Sequence, residues 1–105
     1  MTITRNFKET VQARALHDKD FREGILRESI ECMLSNDIKT GKALLRDYIN
    51  ATIGFAKLSR LTHKDSKSLM RMFSGSGNPT ANNFFEVIHL LQEKEGVHYE
   101  LQAVR

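Results

Sequence analysis

Lys57, Arg60, Lys64, Lys67 and Arg71 stand in one fifteen-residue stretch against a single acid, Asp65, so residues 57–71 carry +4. The whole chain is only +3, because residues 1–17 give +2, residues 18–56 give −1 and residues 72–105 give −2. A positive charge concentrated on a short element is the electrostatic footprint expected for contact with phosphates. Other chemistry finds less support. His17, His63, His89 and His98 are scattered, with no Cys or carboxylate cluster at metal-ligand spacing, so no metal or other cofactor is expected. Cys32 lies beside Met33 in an apolar segment, where a small hydrophobe is expected rather than a nucleophile. The pairs Glu93 with Glu95 and Asp18 with Asp20 have the look of surface acids near helix ends. Ser74-Gly75-Ser76-Gly77 lacks the Lys-Ser/Thr ending of a phosphate-binding loop and follows no strand. The expectation is a protein that binds rather than an enzyme, with no catalytic residue.

The elements that would position the basic stretch are helical. A chain of 105 residues is read as one domain, since a second core does not fit in that length. Asp20 is read as the cap of a first helix carrying Phe21, Ile25, Leu26, Ile30, Met33 and Leu34, ended by Ser35-Asn36-Asp37. Asp37 caps a second helix whose stripe is Ala43, Leu44, Leu45, Tyr48, Ile49, Thr52 and Ile53, with Gly54 as the left-handed stop. Two short helices follow, Lys57 to Thr62 and Ser66 to Phe73, the latter capped by Asp65. The loop 74–79 is expected to use the positive φ open to Gly and Asn, with Pro79 barring continuation of the helix. Thr80 caps a fifth helix with Phe84, Val87, Ile88 and Leu91 on one face, and Gly96 ends it. The tail Val97 to Ala103 alternates apolar and polar residues and reads as a short C-terminal strand. Its partner is either the alternating segment Thr2 to Phe7 in the N-terminal arm, residues 1–19, or the same tail of a second subunit. The fold class is therefore all-α with five helices and one terminal strand. No apolar run is long enough to span a membrane, the N-terminus lacks a secretory apolar stretch, and a lone Cys suits a reducing compartment, so a cytoplasmic location is expected.

Two consecutive short helices suggest a helix-turn-helix over about residues 55–73. Such a motif needs apolar residues within and polar or basic ones without, and Leu58, Thr62, Leu69, Met72 and Phe73 can supply the inner face. At the start of the second helix Ser66 and Lys67 lie nearest the base edges, with Met70 and Arg71 one turn later on the same face. Arg71 or Lys67 can donate to guanine O6 and N7, Ser66 can bond several bases and Met70 can touch a thymine methyl. Lys57, Arg60, Lys64 and Ser68 are assigned to phosphates, which position the motif. The partner read from these residues is double-stranded DNA, and the need for two half-sites calls for a homodimer.

The run from Gly54-Phe55-Ala56-Lys57-Leu58 through Ser66-Lys67-Ser68-Leu69-Met70-Arg71-Met72-Phe73 to Gly77-Asn78-Pro79 resembles the lambda-repressor-like helix-turn-helix of HigA-type antitoxins, the addiction module antidote family. The resemblance extends over about residues 20 to 101. It implies a dimeric antitoxin of a type II toxin-antitoxin module that represses its own operon and neutralises a RelE-like ribonuclease toxin by direct binding. The alternative is a helix-turn-helix transcriptional regulator with no toxin partner. Toxin contact is assigned to the residues before Asp20 and the first helix, because they lie outside the DNA-binding core. The sequence departs from the family pattern at Ala56, Ser59, Lys64 and His63, the last standing where Gly is favoured for a left-handed residue.

Overall fold

The computed structural model describes residues 13–15 and 17–105. Residues 1–12, which include the expected strand partner Thr2 to Phe7 and most of the N-terminal arm, lie outside the described residues. Residues 13–15 are helical, and five helices follow: α1 Lys19–Leu34, α2 Ile38–Ala51, α3 Phe55–Thr62, α4 Ser66–Met72 and α5 Ala81–Glu95. There is no strand among the described residues, and residues 97–105 follow α5 without regular structure. The expected C-terminal strand pairs with nothing among the described residues, and its expected partner within the chain, Thr2 to Phe7, lies outside them. The tail is instead pinned by a side chain: the Tyr99 amide donates to Gln92 Oε1 at 2.9 Å and its hydroxyl donates to the Glu23 carbonyl at 2.8 Å.

Helix ends follow local capping chemistry. Asp37, Asp65 and Thr80 accept from the backbone N–H of Thr40, Ser68 and Asn83, satisfying amides that have no partner within the helix. The cap of α1 is Asp18, not Asp20: its carboxylate accepts from Phe21 N at 3.0 Å, and Asp20 falls in the first turn. That hydrogen bond holds the Asp18 carboxyl below its ordinary value. Gly54 has the positive φ expected of a stop, 78°, and also serves as the N-cap of α3, which begins two residues earlier than Lys57. None of residues 74–79 has positive φ, so the glycines of that loop are not there for the left-handed region.

One core cluster draws on each of α1 to α5: Leu26 of α1, Leu45, Tyr48 and Ile49 of α2, Phe55 and Leu58 of α3, Leu69 of α4, and Val87, Ile88 and Leu91 of α5, with Phe73 after α4. Phe73 lies between Phe55 and Phe84, with ring centroids at 6.3 and 5.9 Å, and so fixes the end of α4 against α3 and α5. Helices α1 and α2 form the most extensive pair, and they approach closely at Gly41, where a Cβ would lie 2.6 Å from Met33 Cε and 2.9 Å from the Ser29 carbonyl oxygen. A buried polar knot ties α1, α2 and α5 together. Glu95, 5% exposed at its side chain, accepts from Arg22 Nε at 3.1 Å and Nη2 at 3.2 Å and from the Tyr48 hydroxyl at 2.6 Å. Burial and that hydrogen bond push the Tyr48 phenol far above its ordinary value. No helix among the described residues is long and apolar enough to cross a membrane.

Candidate nucleic-acid interface

Seven residues make α4, and its fully buried Leu69 sets which way the rest point. Positions three and four apart share a helix face, so Ser66, Lys67, Met70 and Arg71 form one stripe turned away from Leu69. Lys67 and Arg71 are exposed, Met70 is 49% exposed, and Ser66 is half-buried at the helix start. A large apolar side chain held in water costs free energy unless something covers it, and a Met flanked by two cations is suited to a base edge with a methyl group. The four sequence-assigned readout residues therefore do come together on one surface.

The four assigned phosphate contacts do not behave alike. Lys57 and Arg60 are exposed on α3, away from buried Phe55, Leu58 and Thr62. Lys57 borders a hollow of about 350 Å³ that Lys94 of α5 also lines. Lys64 is half-buried and its ammonium is taken by α5: Nζ donates to Asn83 Oδ1 at 3.1 Å and lies 3.3 Å from Glu86 Oε2. Ser68 is exposed, but its amide and hydroxyl both turn to the Asp65 carboxylate, at 3.1 and 3.5 Å. Its first role is to receive the cap of α4. Lys57, Arg60, Lys67 and Arg71 make no ion pair among the described residues. Asp65, the one acid of the stretch, is occupied at the cap. Of the five cations of the stretch, four thus make no ion pair among the described residues, Lys67 and Arg71 on α4 and Lys57 and Arg60 on α3.

Three residues connect α3 and α4. His63 is left-handed, φ 57° and ψ 32°, at the position where the family resemblance implies such a residue. Its side chain is exposed, so the strain of a non-Gly residue there is not offset by burial. The Ser59 hydroxyl donates to the Lys64 carbonyl and so ties the middle of α3 to the far side of the turn. Ser59 is therefore a turn-closing group. Thr62 Oγ1 donates to the Leu58 carbonyl at 2.8 Å, which lets a hydroxyl sit in the core with its polar demand met.

Sequence reasoning passed over Lys42, which is 6% exposed on α2 and donates from Nζ to the Gly77 carbonyl at 2.8 Å. A signal was present: Lys42, Leu45 and Ile49 fall at i, i+3 and i+7, so this lysine lies within the apolar stripe. A second surface is apolar. Leu34, Phe85, Leu101 and Val104, exposed at 63, 63, 78 and 90%, line a groove of about 560 Å³ between the end of α1, α5 and the tail. The tail is also one of the places where the sequence points to contact with a second subunit. Among the described residues no group of three His, Cys, Asp or Glu side chains could hold a metal ion. No protein-family model, curated protein or solved structure matches this chain.

Proposed function

We propose that this chain is a dimeric helix-turn-helix repressor in which α3 braces on the DNA backbone and α4 enters the major groove. The observation that supports this reading most is the α4 stripe of Ser66, Lys67, Met70 and Arg71, turned away from buried Leu69, with Lys57 and Arg60 exposed on the preceding helix and in no ion pair among the described residues. Base edges are read by Lys67 and Arg71 as donors, by Ser66 at the helix start and by Met70 through apolar contact. A short helix reads few base pairs, so useful discrimination calls for two copies on half-sites about 34 Å apart. The resemblance to HigA-type antitoxins extends the proposal to a second role, in which the same protein binds and neutralises a RelE-like toxin in the cytoplasm.

Selection of duplexes from a random library, followed by titration of the selected sequence, tests the DNA-binding half. Arg71→Ala or Lys67→Ala should weaken that complex by about 1–3 kcal/mol and relax preference at one base position. Equal losses on selected and shuffled duplexes would refute the assignment of base readout to α4. The antitoxin half is tested by expressing the flanking reading frames with and without this chain. Growth arrest relieved by co-expression supports it, and harmless neighbours leave the plain regulator.

A further inference from the structure

We propose that Lys42 is a positioning residue that locks the C-terminal end of α4, and with it the pose of Arg71, to the α1–α2 pair. This inference rests on the reading of α4 as the recognition helix.

The lock begins where α1 and α2 meet. Gly41 lets the backbone of α2 approach the Ser29 carbonyl of α1, which leaves the next residue, Lys42, fixed in a tight interface. Lys42 then donates to the carbonyl of Gly77, thirty-five residues on, and is itself almost wholly buried. Gly77 in turn packs onto the end of α4, so closely that a Cβ there would collide with the Arg71 carbonyl oxygen. That oxygen also accepts from the Ser74 amide at 3.1 Å and the Ser74 hydroxyl at 2.7 Å. A continuous path therefore runs from the α1–α2 interface through an ammonium to the backbone of the residue assigned to guanine.

Keeping an ammonium in a buried site is costly unless it is hydrogen-bonded, and a methionine fills similar space without that cost. Stability alone gives weak grounds for a lysine there. A directional bond to one carbonyl supplies what an apolar side chain cannot, a single position for the 74–79 loop and for the helix end beneath it.

The test compares wild type, Lys42→Met and Gly77→Ala on a duplex selected by wild type and on a shuffled duplex, alongside thermal unfolding and amide hydrogen exchange. The expected result for Lys42→Met is at least a fivefold loss of affinity for the selected duplex, less than twofold change on the shuffled one, and faster exchange of amides 71–77 with α1 amides unchanged. Gly77→Ala breaks the next contact along the path, between Gly77 and the Arg71 carbonyl oxygen, and should reproduce the pattern; Lys42→Leu, which also lacks the donor, replaces Lys42→Met in the comparison if that variant does not fold. Retained discrimination in both variants, or equal losses on both duplexes, overturns the proposal. A wild type that selects no duplex instead refutes the DNA-binding reading. The lock is then judged by exchange alone, and unchanged amides 71–77 in the variants sink it.

Discussion

Arg60→Ala and Lys64→Ala remove the same charge from neighbouring places in the sequence, yet the structure separates their effects on DNA binding. Arg60 is exposed with no ion pair among the described residues, whereas the Lys64 ammonium already faces Glu86 at 3.3 Å and Asn83 at 3.1 Å. Each phosphate neutralised by a cation releases counterions and adds about 0.9 to the slope of log K against log salt. A two-fold dimer carries each residue twice, so Arg60→Ala should flatten the slope by about 1.8. Between 50 and 200 mM salt that difference amounts to roughly a twelvefold change in the ratio of wild-type to mutant affinity. Lys64→Ala removes a charge that is compensated within the protein, so its ratio to wild type should stay within about twofold over the same range. Lys64 and Glu86 are partly exposed, 25 and 49% at their side chains, so loss of the pair should cost less than about 1 kcal/mol of folding stability. Fluorescence anisotropy titrations of one duplex at four salt concentrations measure all three slopes. Equal flattening by both substitutions would show that Lys64 leaves Glu86 for a phosphate, and the reasoning from the ion pair would fail. A flat response to Arg60→Ala would remove α3 from the interface.

Two further predictions concern the scaffold. His63→Gly relieves about 1–2 kcal/mol of left-handed strain and adds about 0.4–1 kcal/mol of unfolded-chain entropy. The net gain, between about 0 and 1.6 kcal/mol, should leave the thermal midpoint unchanged or raise it by several degrees, and a lowered midpoint would mean that His63 makes a contribution its exposed side chain does not show. The raised Tyr48 phenol makes stability pH-dependent on the alkaline side. Below about pH 10 folded and unfolded chains both keep the proton; above it the unfolded phenol ionises while the buried one, held against Glu95, does not. Stability therefore falls as pH rises past 10, at up to about 1.4 kcal/mol per pH unit from this group. Urea unfolding at intervals from pH 9 to 11 should show that fall reduced by this amount in Tyr48→Phe, and parallel curves for the two proteins would contradict the assignment.

What could be read ahead of the structure was what depends on reach within a few residues. Asp37, Asp65 and Thr80 cap the helices they precede, and Gly96 closes α5 with φ 76°, because each needs only a side chain or a backbone freedom next to a helix end. The left-handed His63 was expected from the family pattern alone, in which Gly is favoured at that position, and not from its own residue type. Asp18 and Asp20 could not be told apart, since a capping acid and a first-turn acid look the same in sequence and both suit the positive end of the helix. Gly77 was legible as a glycine position but for the wrong cause: it serves close approach to Arg71, not positive φ. The strand reading of the tail rested on alternation alone, and alternation cannot supply a partner.

Charge was the least local property of all. Lys42 and Lys64 look like any surface lysine until the fold brings a carbonyl thirty-five residues away to one and a carboxylate twenty-two residues away to the other. Both captured lysines brace the proposed reading unit from outside. Lys64 fastens the α3–α4 turn to α5, and Lys42 fastens the loop after α4 to α2. Between these two anchors lies a helix of only seven residues, too short to be stable by itself and bearing one fully buried side chain. The pose of α4 is therefore a property of α2 and α5 as much as of its own turn. An atypical turn at His63 and Lys64 can then be tolerated, because the register it would otherwise have to supply is imposed from both ends.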